Sequence, residues 1–167
     1  MTETVNIRAW LSLGSNIDPQ KRIPAALESL RERFGELVIS PIYESEAVGF
    51  SGDNFHNLVV GIETGLPPRE LADALREIES EYGRVRGAEK FSSRTLDIDL
   101  LTYGDQIIDE PGVQVPRDEI LRYAFVLLPL SEVAPNERHP VTGQTYRELW
   151  AEFNASEQML WRVDNRV

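Results

Sequence analysis

The chain has 167 residues, 41% of them hydrophobic, with no cysteine, two histidines and a net charge of -11. That length suits one buried core, so a single domain over residues 1–167 is expected, its core running over about 5–154 and the tail 155–167 carrying no clear period. The lack of cysteine excludes disulfides and thiolate zinc sites, no apolar run nears the roughly 20 residues of a bilayer span, and the acidic surface repels nucleic acid and anionic membranes, so a cytoplasmic protein with neither as partner is expected, and a monomer is taken as the expectation though no residue pattern fixes it.

Val5, Ile7, Ala9, Leu11 and Leu13 alternate with mostly polar residues, the period of a half-buried strand, and Gly14-Ser15-Asn16 ends it. Asp18-Pro19 offers an N-cap and a first-turn proline, after which Ile23, Ala26, Leu27, Leu30 and Phe34 recur at helical spacing up to Gly35. Short extended segments at Leu37–Ser40 and Tyr43–Ser45 precede a loop at 49–54. A strand over Phe55–Thr64 then puts Leu58, Val60 and Ile62 on one face.

Pro67-Pro68 opens a second helix with Leu71, Leu75, Ile78 and Tyr82 as its stripe and Gly83 as its stop. A basic loop follows. Thr95–Tyr103 reads as a strand, and Gly104-Asp105 as the turn of a short hairpin toward Ile107-Ile108. The order β-α-β-β-α-β makes the fold class α+β, ferredoxin-like, an antiparallel sheet with two helices on one face. A C-terminal extension adds an extended Val113–Pro116, a buried helix over Ala124–Leu130 and a last helix carrying Tyr146, Leu149, Trp150 and Phe153. Leu160-Trp161 packs back onto the domain in this reading.

Chemistry gathers in the middle of the chain. Asp97 and Asp99 are one residue apart in a strand, so both carboxylates point to the same side, about 7 Å apart. Two such carboxylates can hold magnesium, which takes its other ligands from water and substrate phosphates. Arg84, Arg86, Lys90 and Arg94 lie just before them, a cationic patch able to clamp phosphate oxygens. Together they describe a magnesium nucleotide site, and no P-loop, G-x-G-x-x-G or H-E-x-x-H motif competes with it. The loop from Arg84 to Ser93 is small and charged, the composition of a lid that closes over phosphates.

Leu13-Gly14-Ser15-Asn16, Asn54-Phe55-His56-Asn57, Gly83-Arg84-Val85-Arg86 and above all Arg94-Thr95-Leu96-Asp97-Ile98-Asp99-Leu100-Leu101 resemble the hydroxymethyl-dihydropterin pyrophosphokinases of folate biosynthesis, from about Ala9 to Leu149. The resemblance implies attack of a pterin hydroxymethyl oxygen on the β-phosphorus of ATP, with release of AMP. It makes Asp97 and Asp99 the ligands of two Mg2+ ions, with ATP as co-substrate, and Arg84 and Arg94 catalytic cations. On the nucleotide side it places Glu79, Arg86, Phe91, Ile98 and Arg117. For the pterin it implies a sandwich between Phe55 and Phe125, with Asn57 reading the ring edge and Ser45 and the backbone near Val48 completing the rim. His56 and His139 are read as structural.

The chain departs from the family at three places. Arg117 stands where many relatives have a histidine that touches the nucleotide. Tyr123 occupies a position usually held by arginine, with Arg122 one place earlier, and Gly112 replaces an arginine found in some members. We expect Arg117 to take over the histidine's contact and Arg122 to contribute little, since one residue of helix is about 100° of rotation. A pterin-binding homologue with altered or lost transfer is the alternative. An RNA-binding ferredoxin-like domain is disfavoured by the acidic charge and the paired aspartates.

Overall fold

The computed structural model describes residues 6–46, 54–81, 96–156 and 158–163. Its sheet is built from strands β1 (Ile7–Ser15), β2 (Val38–Ile39), β3 (Ile42–Ser45), β4 (Phe55–Thr64), β5 (Asp97–Tyr103) and β8 (Leu160–Val163). The order across it is β5-β1-β4-β3-β8, with β2 also on β4, and every pairing is antiparallel. Helices α1 (Pro19–Phe34) and α2 (Pro68–Glu81) connect β1 to β2 and β4 to β5. This is the ferredoxin-like order read from the sequence.

Odd positions of β1 and even positions of β4 and β5 face α1 and α2. Leu11, Leu13, Leu58, Val60, Ile62, Ile98 and Leu100 pack there with Ile23, Leu27, Leu30, Leu71, Leu75 and Ile78, all buried. Each such side chain contributes roughly 1.5–3 kcal/mol relative to exposure.

The opposite face is also covered, which corrects one expectation. Beyond a hairpin of β6 (Ile108–Glu110) and β7 (Val113–Val115), the chain forms α3 (Glu119–Arg122), α4 (Ala124–Val133) and α5 (Tyr146–Glu152). Val126, Leu127 and Leu130 of α4 and Tyr146 of α5 bury Trp10, Val59 and Leu101 of the sheet. The first strand is therefore buried on both faces from Ala9 onward rather than half-buried, while α1 and α2 share one face as expected and the C-terminal helices take the other. Tyr43 fastens α4 to β3 by donating its hydroxyl proton to Glu132 at 2.5 Å. Burial, then the Glu132 hydrogen bond and charge, push its pKa up to about 12.

Two local expectations change as well. The turn at Gly104-Asp105 does not return the chain onto β5, because the backbone N–H of Gly104 bonds Arg8 across β1 and β6 pairs with β7 instead. Pro111-Gly112 makes that hairpin's turn, with Gly112 at φ 85°, where a side chain would be strained. Asp18 precedes α1 with φ 48° and makes no side-chain cap. Its carbonyl instead accepts the N–H groups of Lys21 and Arg22 at 3.0 and 2.9 Å. The tail does pack back, as strand β8 on β3.

Candidate active site

β5 is an edge strand, and its register on β1 sets Asp97 opposite Gly14 and Asp99 opposite Ser12. Ile98 and Leu100 belong to the core under α1 and α2, so both aspartates point to the other face and stay partly exposed. The shared side read from the sequence is thus the α4 side. Among the described residues no group of three or more acidic or imidazole side chains converges on a metal position. Two hard carboxylate oxygen donors on one partly exposed face suit magnesium, which draws its other ligands from water and phosphates.

The outer edge of β5 is tied to α2. Glu79 is 3% exposed, and its carboxylate accepts the backbone N–H of Ile98 at 2.8 Å, at the residue between the two aspartates. An edge strand leaves such donors without a strand partner, and here a buried carboxylate satisfies one. Glu79, Ile98 and Asp99 line a cleft of about 110 Å³ whose other walls include Arg76, Gly112 and Arg117. The expected nucleotide-side positions Glu79, Ile98 and Arg117 are therefore brought together.

Arg117 is tied to β5 through its backbone N–H, donated to the Leu101 carbonyl at 2.9 Å. Its guanidinium donates from both Nε, at 2.8 Å, and Nη2 to the one oxygen Oε2 of Glu119. Burial pulls the Arg117 pKa down, but the charge of Asp99 and the bond and charge of Glu119 together raise it. Arg122 points elsewhere, donating to Asp118 at 3.0 Å and lying 5.3 Å from the Tyr123 ring. Sequence reasoning missed Arg76, which donates to the Gly112 carbonyl at 3.2 Å and to Asp73 at 2.8 Å. Its place three residues before Glu79, on the same side of α2, was the available signal.

A second cleft, of about 430 Å³, opens beside the end of β3. Ser45, Tyr123, Phe125, Asn154, Gln158 and Met159 are among its walls. Tyr123 and Phe125 stack with ring centroids 5.0 Å apart and planes 20° from parallel. Next to it, Asn57 is 4% exposed and donates from Nδ2 to Ser45 Oγ at 3.1 Å. Phe55 is half-buried at the start of β4, opposite Ser45 in the register. Ser45, Phe55 and Asn57 alternate onto the same sheet face as Asp97 and Asp99, with Gly14 between Asn57 and Asp97.

His56 falls on the other face, 3.1 Å from Glu44, and lines with it a polar cleft of about 480 Å³, while Nδ1 of His139 accepts the backbone N–H groups of Val141 and Thr142. The tail residues of the second cleft carry no recognisable sequence pattern. Val48, Arg84, Arg86, Lys90, Phe91, Arg94 and the loop to Ser93 lie outside the described residues.

The comparisons with known proteins point to one family. A Pseudomonas aeruginosa protein named 2-amino-4-hydroxy-6-hydroxymethyldihydropteridine pyrophosphokinase is 41% identical over 149 residues, covering 86% of this chain and 90% of its own. An Aquifex aeolicus protein of the same name is 38% identical over 146 residues, covering 86% and 88%. Among solved structures, wild-type Plasmodium falciparum HPPK-DHPS with pterin and p-hydroxybenzoate aligns with a TM-score of 0.70 at 16% identity. That match covers 91% of this chain but only 44% of the Plasmodium chain, and at that identity it speaks for the fold alone. The sequence profile of 7,8-dihydro-6-hydroxymethylpterin-pyrophosphokinase matches residues 10–135. By that match and these identities, the chain belongs to the 7,8-dihydro-6-hydroxymethylpterin-pyrophosphokinase family.

Proposed function

We propose that this chain transfers a pyrophosphoryl group from magnesium-bound ATP to 6-hydroxymethyl-7,8-dihydropterin, forming the pterin diphosphate and AMP. The observation that carries this reading is the row Asp97, Gly14, Asn57 across three neighbouring strands. At strand spacings of about 4.8 Å, it sets the carboxylate pair roughly 10 Å from the amide beside the second cleft. Pterin and triphosphate can then meet on one sheet face.

In this reading Phe55 and Phe125 stack on the flat pterin while Asn57 and Ser45, with the backbone near Val48, read its polar edge. The hydroxymethyl oxygen forms a bond to the β-phosphorus and the bond from that phosphorus to the bridging oxygen of AMP breaks. The hydroxyl proton leaves to solvent or to a phosphate oxygen. Asp97 and Asp99 hold two magnesium ions, which neutralise phosphate charge when bound. Glu79 keeps the strand carrying those aspartates in place, and Arg117 lies at the nucleotide cleft. Arg84, Arg86, Arg94 and Phe91 serve the phosphates and the adenine side by the family's pattern. A single-domain, monomeric, cytoplasmic protein completes the proposal.

The Arg117–Glu119 pair favours a second reading, a pterin-binding homologue with impaired transfer, because the guanidinium is already engaged. Incubation with ATP, magnesium and 6-hydroxymethyl-7,8-dihydropterin separates the two. AMP and pterin diphosphate in equal amounts support the enzyme; pterin binding without AMP supports the homologue.

A further inference from the structure

Gln158 sits in the tail, far in sequence from the family's motifs, yet its side chain ends between two helices. Its Oε1 accepts the backbone N–H of Ala124 at 2.8 Å and its Nε2 donates to the Arg122 carbonyl at 2.9 Å. Those groups flank Tyr123, the extended residue that ends α3 and begins α4. The Ala124 N–H is one of the first donors of α4, and no side chain of Tyr123 caps that helix. The Arg122 carbonyl is the last of α3. One amide therefore supplies the missing acceptor to one helix and a donor to the other, a pair of roles that an amide side chain can fill at once.

The same segment is anchored on both sides. The Gln158 backbone N–H bonds Ala155 at 3.0 Å, and two residues on, Leu160 pairs with Ser45. The tail thus bridges Ser45 and the turn bearing Phe125, and closes the cleft between them with Asn154, Ser156 and Met159. Met159 is 70% exposed, a flexible thioether near an aromatic-lined opening rather than part of the core.

We propose that Gln158 is a positioning residue of the pterin pocket, holding the Tyr123–Phe125 turn at the stacking position and the tail as the pocket's outer wall. This rests on the assignment of the second cleft to the pterin. Loss of the amide frees the turn and opens the wall, while the carboxylate pair and the nucleotide cleft lie on the far side of the sheet row and keep their contacts.

The test measures KM for pterin and for ATP, with kcat, in Gln158→Ala, Gln158→Glu and Phe125→Ala, alongside thermal unfolding. In Gln158→Ala the pterin KM rises about tenfold, the sum of two modest hydrogen bonds, and the ATP KM stays within about twofold. Gln158→Glu keeps the acceptor and loses the donor, and falls between wild type and alanine. An unchanged pterin KM in folded Gln158→Ala, or equal rises in both KM values, overturns the proposal. Should the alanine variant not fold, Gln158→Glu is read in its place by the same criteria. Phe125→Ala separates the two layers. If it leaves the pterin KM unchanged, the pocket assignment itself fails; if it raises that KM while the Gln158 variants do not, only the role of Gln158 fails.

Discussion

A Cβ placed on Gly14 would stand 2.9 Å from Oδ1 of Asn57 and 3.8 Å from the ring of Phe55. The glycine therefore makes room for the amide that donates to Ser45. In Gly14→Ala the amide has to swing away, since the neighbouring backbone is fixed by β1 and β4 pairing. We expect a roughly tenfold higher pterin KM, the scale of one or two lost hydrogen bonds, with the ATP KM nearly unchanged. Steady-state kinetics with each substrate varied in turn checks this, and a rise confined to ATP would contradict it.

Asp97→Asn and Asp99→Asn keep shape while removing the charge that would hold a hard cation in the proposed site. Each should lower turnover by on the order of a thousandfold, with unfolding midpoints close to wild type. Normal turnover at ordinary magnesium in either variant would end the metal assignment.

The Glu79 carboxylate and the Ile98 N–H form a buried pair at the outer edge of β5. Glu79→Ala strands that donor and should cost roughly 1–3 kcal/mol of stability. Glu79→Gln retains an acceptor oxygen and should cost less. Urea unfolding of the two variants ranks them, and equal losses would argue that the hydrogen bond to Ile98 is not what the carboxylate contributes.

Arg117 and Arg76 are the guanidinium groups among the described residues of the cleft beside Glu79, Ile98 and Asp99, which is proposed to take the nucleotide. Arg117→Ala should raise the ATP KM about tenfold, the worth of one charge-assisted contact. Glu119→Gln, which weakens the internal hold on Arg117, should lower it. Arg122→Ala should leave it unchanged, because that side chain is bonded to Asp118 on the exposed side of α3. An Arg117→Ala variant with unchanged affinity for an ATP analogue would favour the pterin-binding homologue.

His139 accepts the backbone N–H groups of Val141 and Thr142 on Nδ1 at 3.1 and 3.2 Å, and burial lowers its pKa. With the folded pKa below the ordinary imidazole value of 6.5, the unfolded chain binds more protons in that interval. The stabilisation is full above about pH 6.5 and declines as pH falls from there through the lowered folded value. His139→Asn, which offers an oxygen to the same donors without titrating, should show a weaker fall in unfolding free energy between pH 8 and 5. Identical pH profiles would show that other groups dominate.

The carboxylate pair was legible because its geometry needs only the two-residue period of a strand, and the core period of α1 and α2 needs only helical spacing. Pairing partners were harder. The sequence holds turn signals at Gly104-Asp105 and at Pro111-Gly112, and local rules favour neither; β1 already bonds the residues around Gly104, so the second turn makes the hairpin. Burial of the sheet's second face was harder to read because Arg8, Ser12, Asn57 and Gly61 are interspersed on it with Trp10 and Val59, the residues that α4 and α5 cover. Arg76 and Gln158 act through atoms brought near by folding, and neither carries a motif.

The row Asp97, Gly14, Asn57 works as a ruler marked in strand spacings. Its length depends on hydrogen-bonded backbone, so loops of any length can vary at its ends without changing the reach between carboxylate and amide. A single inserted residue within β1 has a different effect. It would turn the glycine to the other face and set a neighbouring side chain into the gap, so both clefts could survive intact and still fail to act together.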